Sequence, residues 1–184
     1  MCGIAGVVGQ GNIVDTLVRA IRTLEYRGYD SCGIAVLQNG ALAVKKGVGT
    51  VEEVSQSERF GDLDAATGIA HTRWATHGAV SAVNAHPFVS CDGKIAVVHN
   101  GIIANWTELR ARLEARGHTF YSQTDTEVVP HLIEEQLKLG AADFETAFWQ
   151  ALNLIDGAYS FAVVTPLEPG RVFVAKHKNP IIIG

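Results

Sequence analysis

Only three cysteines, Cys2, Cys32 and Cys91, occur in 184 residues. They are too few and too unevenly placed for a disulfide framework, and no pair has the short spacing of a zinc knuckle. A reduced, cytoplasmic protein is expected. An excess of positive charge is missing too: the formal net charge is −4 and the pI near 5.9, which sets aside nucleic acid or an anionic membrane surface as the main partner. No run approaches the ~20 apolar residues of a membrane span, and the opening apolar run has no basic residue ahead of it and is shorter than a signal-peptide core. Repeats, low-complexity tracts and linkers are absent. With 47% hydrophobic and 18% charged residues, the composition is that of a globular chain, and 184 residues predict one domain spanning 1–184.

What is present alternates between strand and helix patterns. After the apolar run that opens at Gly3, the apolar residues Ile13, Val14, Leu17, Val18, Ile21 and Leu24 fall at helical spacing behind Asn12. Ile34–Leu37 and Ala41–Val44 flank Asn39-Gly40, the signature of a hairpin with a primed turn. A short helix is expected over 50–58, a loop over 59–67 and a strand from Gly68. A long irregular segment to about Lys94 follows, and such loops in compact domains are commonly functional. Ile95–Val98 predicts a buried strand, Asn105 a helix cap, and Thr119–Tyr121 a short strand. Helices are expected after Glu127 and after Gly140, then strands over Tyr159–Thr165, Arg171–Lys176 and Ile181–Ile183. Strands that are continuous apolar runs are covered on both faces, so a layered α/β sandwich is favoured over a barrel.

Four polar clusters fall at the ends of these elements: Cys2, the stretch around Arg73, Asn100-Gly101, and Asp125. If Met1 is removed, Cys2 carries a thiol and a free α-amine on one residue. The amine, with an ordinary pKa of about 7.7–8.0, can take the thiol proton near neutrality. A thiolate attacking a carboxamide makes an oxyanion that an Asn100 side-chain N–H and the Gly101 backbone N–H could hold. Arg73 could clamp a carboxylate and Asp125 an ammonium, a pairing that suits an α-amino acid. Taken singly, each has a plainer reading: a buried hydrophobe for Cys2, a turn for Asn100-Gly101, a surface ion pair for Arg73, a helix first-turn acid for Asp125, a core aromatic for Trp74. No metal is expected, since His71, His77, His86 and His99 show no i, i+4 helical pair.

Taken jointly, Cys2-Gly3-Ile4, Leu24-Glu25-Tyr26-Arg27-Gly28-Tyr29-Asp30-Ser31, His71-Thr72-Arg73-Trp74-Ala75-Thr76-His77-Gly78, Asn84-Ala85-His86-Pro87, Val98-His99-Asn100-Gly101-Ile102-Ile103 and Thr124-Asp125-Thr126-Glu127 closely resemble the glutaminase domains of the glucosamine-6-phosphate synthase family. The blocks come in the family's order and cover nearly the whole chain. The resemblance implies an α+β, four-layer αββα sandwich of the N-terminal-nucleophile hydrolase type that cuts L-glutamine to glutamate and ammonia without a cofactor. It implies Cys2 as nucleophile with its α-amine as base, Asn100 and Gly101 as oxyanion hole, and Arg73, Thr76, His77 and Asp125 around the substrate. Trp74 would belong to a closing loop, with Arg27, His86 and His99 in support. Intact family members add a sugar isomerase part that uses the ammonia on fructose 6-phosphate, and they form homodimers; that part is absent from these 184 residues. Alternatives are the glutaminase half of another amidotransferase and a catalytically silent glutamine-binding subunit.

Overall fold

The structure is a computed structural model that describes residues 2–75 and 78–184. Among the described residues the chain forms two four-stranded antiparallel sheets. The first holds β1 (Gly3–Val8), β2 (Ser31–Gln38), β3 (Ala41–Val48) and β4 (Thr67–Arg73) in the order β1-β4-β2-β3. The second holds β5 (Phe88–Val89), β6 (Ala96–Ile103), β7 (Gly157–Val164) and β8 (Phe173–His177) in the order β5-β6-β7-β8. Helices α1 (Val14–Thr23) and α2 (Val51–Ser57) cover the outer face of the first sheet. Helices α3 (Trp106–Glu114), α4 (Val128–Lys138) and α5 (Phe144–Leu152) cover the second.

The side-chain alternation of the strands explains the layering. In β2, Ile34 and Val36 face α1 and α2 while Ala35 faces the other sheet. On the other side of the molecule, Ile95, Val97, Phe161 and Val163 pack under the helices. Their neighbours Ala96, Val98, Ala162 and Val164 turn inward to meet Ala35 and Ile69. Both faces of each central strand are therefore apolar, which is why these strands read as continuous hydrophobic runs. The product is the expected αββα sandwich.

Local chemistry sets the connections. Asn39 and Gly40 both take positive φ (53° and 76°), as a primed hairpin turn requires. Thr50 and Glu53 form a reciprocal capping box on α2. Asn105 precedes α3 without capping it, because its side-chain amide instead bridges the Leu154 carbonyl and the Asp156 N–H.

Two expected strands are absent. Thr119–Tyr121 is irregular, since the Glu127 carboxylate takes the backbone N–H groups of Tyr121 (2.9 Å) and Ser122 (2.7 Å) in place of a strand partner. Ile181–Ile183 follows Pro180 as extended chain with Ile182 94% and Ile183 81% exposed, not as a buried strand. Three additions accompany these: turns of 3-10 helix over Glu25–Arg27 and over Phe60–Asp62, and the two residues of β5 inside the long irregular segment.

Candidate active site

The two sheets bring their central strands to one end of the sandwich. Cys2 immediately precedes β1, whose Gly3 pairs with Thr72, so the thiol lies beside Arg73 at the end of β4. From the second sheet, β6 brings Asn100 and Gly101. The loop before α4 brings Thr124, Asp125 and Thr126, and these residues with Trp74, His86 and His99 line one cleft.

Asn100 is the contact across the sheets. Its Nδ2 donates to the Cys2 carbonyl at 3.0 Å. Its Oδ1 lies 3.0 Å from His71 Nε2, which is also 3.0 Å from the His99 carbonyl. Facing two acceptors, that nitrogen must carry the proton, so His71 fixes the amide with its N–H side toward Cys2. Gly101 has φ 136°, and a Cβ there would overlap the Ala158 carbonyl oxygen; only glycine fits.

The Cys2 sulfur accepts the Trp74 N–H at 3.2 Å and lies 3.6 Å from the Trp74 carbonyl. Burial raises the thiol pKa, opposed by the Trp74 hydrogen bond and the Arg73 charge. Arg73 is itself lowered, first by burial, while Cys2, Asp30 and Asp125 favour its charge. Its Nη1 reaches the Ala79 carbonyl at 3.4 Å. Asp125 is held by the Ile103 N–H (2.8 Å) and the Thr126 hydroxyl (3.4 Å).

A buried histidine group backs the cleft. His71 and His86 stack with centroids 4.0 Å apart. Thr126 Oγ1 lies between His86 Nε2 (3.1 Å) and His99 Nδ1 (2.9 Å). Burial drives His71 down to about 3, His86 well below the ordinary value and His99 to about 4. All three rings are neutral at neutral pH, so the charges left in the cleft are those of Arg73, Asp125 and any thiolate.

The Tyr26-to-Ser31 block packs against the Arg73–Ala75 segment. A Cβ on Gly28 would sit 2.6 Å from the Arg73 carbonyl carbon and the Trp74 nitrogen, so glycine lets the two segments touch. Asp30 then accepts the Ala75 N–H at 2.7 Å and donates its own N–H to the Arg73 carbonyl at 3.1 Å. Tyr29 meets the Trp74 ring edge-on at 5.4 Å.

The structure thus brings together Cys2, Arg73, Trp74, Asn100, Gly101 and Asp125, with His86 and His99 beneath them. Arg27 stands apart, its Nε on the Tyr26 hydroxyl at 3.1 Å. Thr76 and His77 lie outside the described residues. The sequence reading missed His71 and Thr126 as cleft-supporting groups, although both sit inside the quoted blocks.

Comparison with known proteins agrees with this architecture. The chain is 47% identical over its full length to the isomerizing glutamine-fructose-6-phosphate aminotransferase of Pyrococcus horikoshii and 48% identical to that of Methanothermobacter thermautotrophicus. It spans 31% of the length of each. Among solved structures, glutamine phosphoribosylpyrophosphate amidotransferase from B. subtilis superposes with a TM-score of 0.78 at 28% identity, covering 90% of this chain and 35% of that one. The αββα layering is thus that of the N-terminal-nucleophile amidotransferases. The family model described as glutamine amidotransferase domain matches residues 71–181, which include Arg73, Asn100, Gly101 and Asp125, and the chain belongs to that family.

Proposed function

We propose that the chain hydrolyses the side-chain amide of L-glutamine to glutamate and ammonia. The observation that carries this reading is the convergence of a thiol, a guanidinium, an amide donor and a carboxylate on one cleft. Arg73 takes the α-carboxylate and Asp125 the α-ammonium, which leaves the carboxamide facing Cys2.

Removal of Met1 frees the Cys2 α-amine, which accepts the thiol proton as sulfur attacks the carboxamide carbon. The Asn100 Nδ2–H and Gly101 N–H stabilise the tetrahedral oxyanion. The C–N bond then breaks, and the amine returns the proton to the leaving nitrogen. Water, deprotonated by the same amine, attacks the thioester, releasing glutamate and restoring the thiol. Neutral His71 holds the Asn100 amide in the donating orientation throughout.

The nitrogen acceptor is fructose 6-phosphate, presented by a sugar isomerase part in a homodimeric assembly. This rests on the 41–48% identity to isomerizing aminotransferases, against 28% to the phosphoribosylpyrophosphate enzyme. Glutamate release by protein whose mass confirms an N-terminal Cys2 tests the glutaminase step, with Cys2→Ala as control. Equal rates in the two would end it.

A further inference from the structure

A second cysteine lies in a cluster that the glutaminase reading does not use. Cys91 follows β5, His118 lies in the loop after α3, and His131 and Glu134 stand three residues apart on α4. One donor atom from each of the four lies within 4.8 Å of all the others. Cys91 Sγ is 3.8 Å from His118 Nδ1 and 3.5 Å from His131 Nδ1. Glu134 Oε2 is 3.7 Å from His118 Nδ1 and 3.8 Å from His131 Nδ1. A tetrahedral zinc ion with ordinary bond lengths sets its S···N edges at about 3.5 Å and its N···O edges at about 3.3 Å. These four edges lie within about 0.5 Å of those values.

The surroundings fit a ligand set as well. His118 turns its other nitrogen to the Glu135 carboxylate at 3.1 Å, while the buried Nε2 of His131, 4.0 Å from Glu127, makes no hydrogen bond. For His118 that contact puts the ring proton on Nε2 and leaves the Nδ1 lone pair facing Cys91, as in metal-ligating histidines backed by acids. The Thr119 N–H points at the sulfur from 3.4 Å. Lys138 Nζ occupies the other oxygen of Glu134 at 2.7 Å, leaving Oε2 on the cluster side, where it also accepts the Cys91 N–H at 2.8 Å. The two imidazoles and the Glu134 side chain are at least 96% buried by side chain, while Cys91 is exposed and offers an entry path.

We propose that Cys91, His118, His131 and Glu134 form a tetrahedral site for a divalent transition-metal ion of the zinc class. One thiolate, two imidazoles and a carboxylate suit zinc or cobalt over magnesium or calcium. Four protein ligands make it a closed, structural site. It fastens the turn after β5, the loop after α3 and the helix α4. The sequence reading set metals aside on the spacing of His71, His77, His86 and His99, none of which takes part.

The test uses the full chain, stripped with a chelator and titrated with Zn²⁺ or Co²⁺. One ion binds per chain, and the cobalt form shows a thiolate charge-transfer band together with tetrahedral ligand-field bands. Cys91→Ser removes the charge-transfer band, and Cys2→Ser keeps it. With zinc at about 100 times its Kd, the unfolding equilibrium constant falls about 100-fold. In the unaltered chain zinc also blocks alkylation of Cys91, read by peptide mass mapping, which decides the matter even if Cys91→Ser does not fold. Substoichiometric binding, a charge-transfer band that survives Cys91→Ser, or alkylation of Cys91 unchanged by zinc overturns the site. None of these readouts depends on glutamine turnover.

Discussion

The surroundings of Cys2, the proposed nucleophile, and Cys91, the proposed ligand, differ in the groups that face each sulfur. Cys2 has a guanidinium beside it, a backbone N–H on its sulfur and an amide donor on its own carbonyl, all bordering a cleft. Cys91 faces two imidazole nitrogens and a carboxylate, whose donor atoms and the sulfur all lie within 4.8 Å of one another. A thiolate meant to attack carbon needs positive charge and free volume nearby. One meant to bind an ion needs further lone pairs at bonding radius.

The sharpest way to break this comparison is to exchange the two thiols for inert groups. Cys2→Ala is expected to lower glutaminase kcat/KM by at least about 10⁴-fold while the chain still takes up one equivalent of zinc. Cys91→Ser is expected to do the reverse, losing zinc and keeping a nucleophile that burst kinetics can count. Asn100→Ala comes next, with a fall in kcat of about 10²–10³-fold for one oxyanion donor. A drop confined to KM would reassign the residue to ground-state binding. His71→Phe should reproduce part of the Asn100 loss in kcat, whereas unaltered turnover would remove its orienting role.

Smaller effects sharpen the same contrast. Arg73→Ala removes a charge-assisted pair and should cost roughly 10–100-fold in kcat/KM for glutamine, mostly through KM. Stability should fall as pH drops from about 6.5 toward 4. In that window the unfolded chain protonates its histidines, while His71 (about 3) and His99 (about 4) stay neutral in the fold. Protons bound only by the unfolded state favour unfolding, so the denaturant midpoint should decline across this range. Glu127, which burial pushes up but the Tyr121 and Ser122 N–H groups hold down at about 2, adds its own loss below about 4.5. A midpoint flat between pH 6.5 and 4 would contradict the neutral-ring picture. Smallest of all, Gly28→Ala should cost about 1–3 kcal/mol in chemical unfolding, because its new methyl group meets backbone at Arg73–Trp74.

The sequence carried the cleft better than it carried the cluster, for a physical reason. Cys2, Arg73 and Asp125 each sit where a strand or helix begins or ends, so short local patterns announce them; Asn100-Gly101, which reads as a turn in the sequence, lies inside β6 and stays paired with Ser160 and Tyr159. His71 and Thr126 were harder to read, since a histidine in a strand and a threonine ahead of a helix look like ordinary packing and capping groups. Cys91, His118 and His131 come from three separate segments, with only His131 and Glu134 in a local pattern, and no spacing rule joins them. The fold was legible where apolar runs were long. It was misread at Thr119–Tyr121 and Ile181–Ile183, where short apolar or aromatic stretches have β propensity but the backbone finds no sheet partner.

The inward faces of the central strands are set with Ala35, Ala96 and Ala162. Small side chains there let the two sheets lie close, and the reach of Asn100 from one sheet to the Cys2 carbonyl of the other depends on that closeness. The gap between Cys2 and Asn100, the proposed nucleophile and oxyanion donor, is therefore governed by methyl groups buried deep in the sandwich. A bulkier residue at any of these alanines would wedge the halves apart and slow turnover from a distance, leaving every reacting group chemically intact.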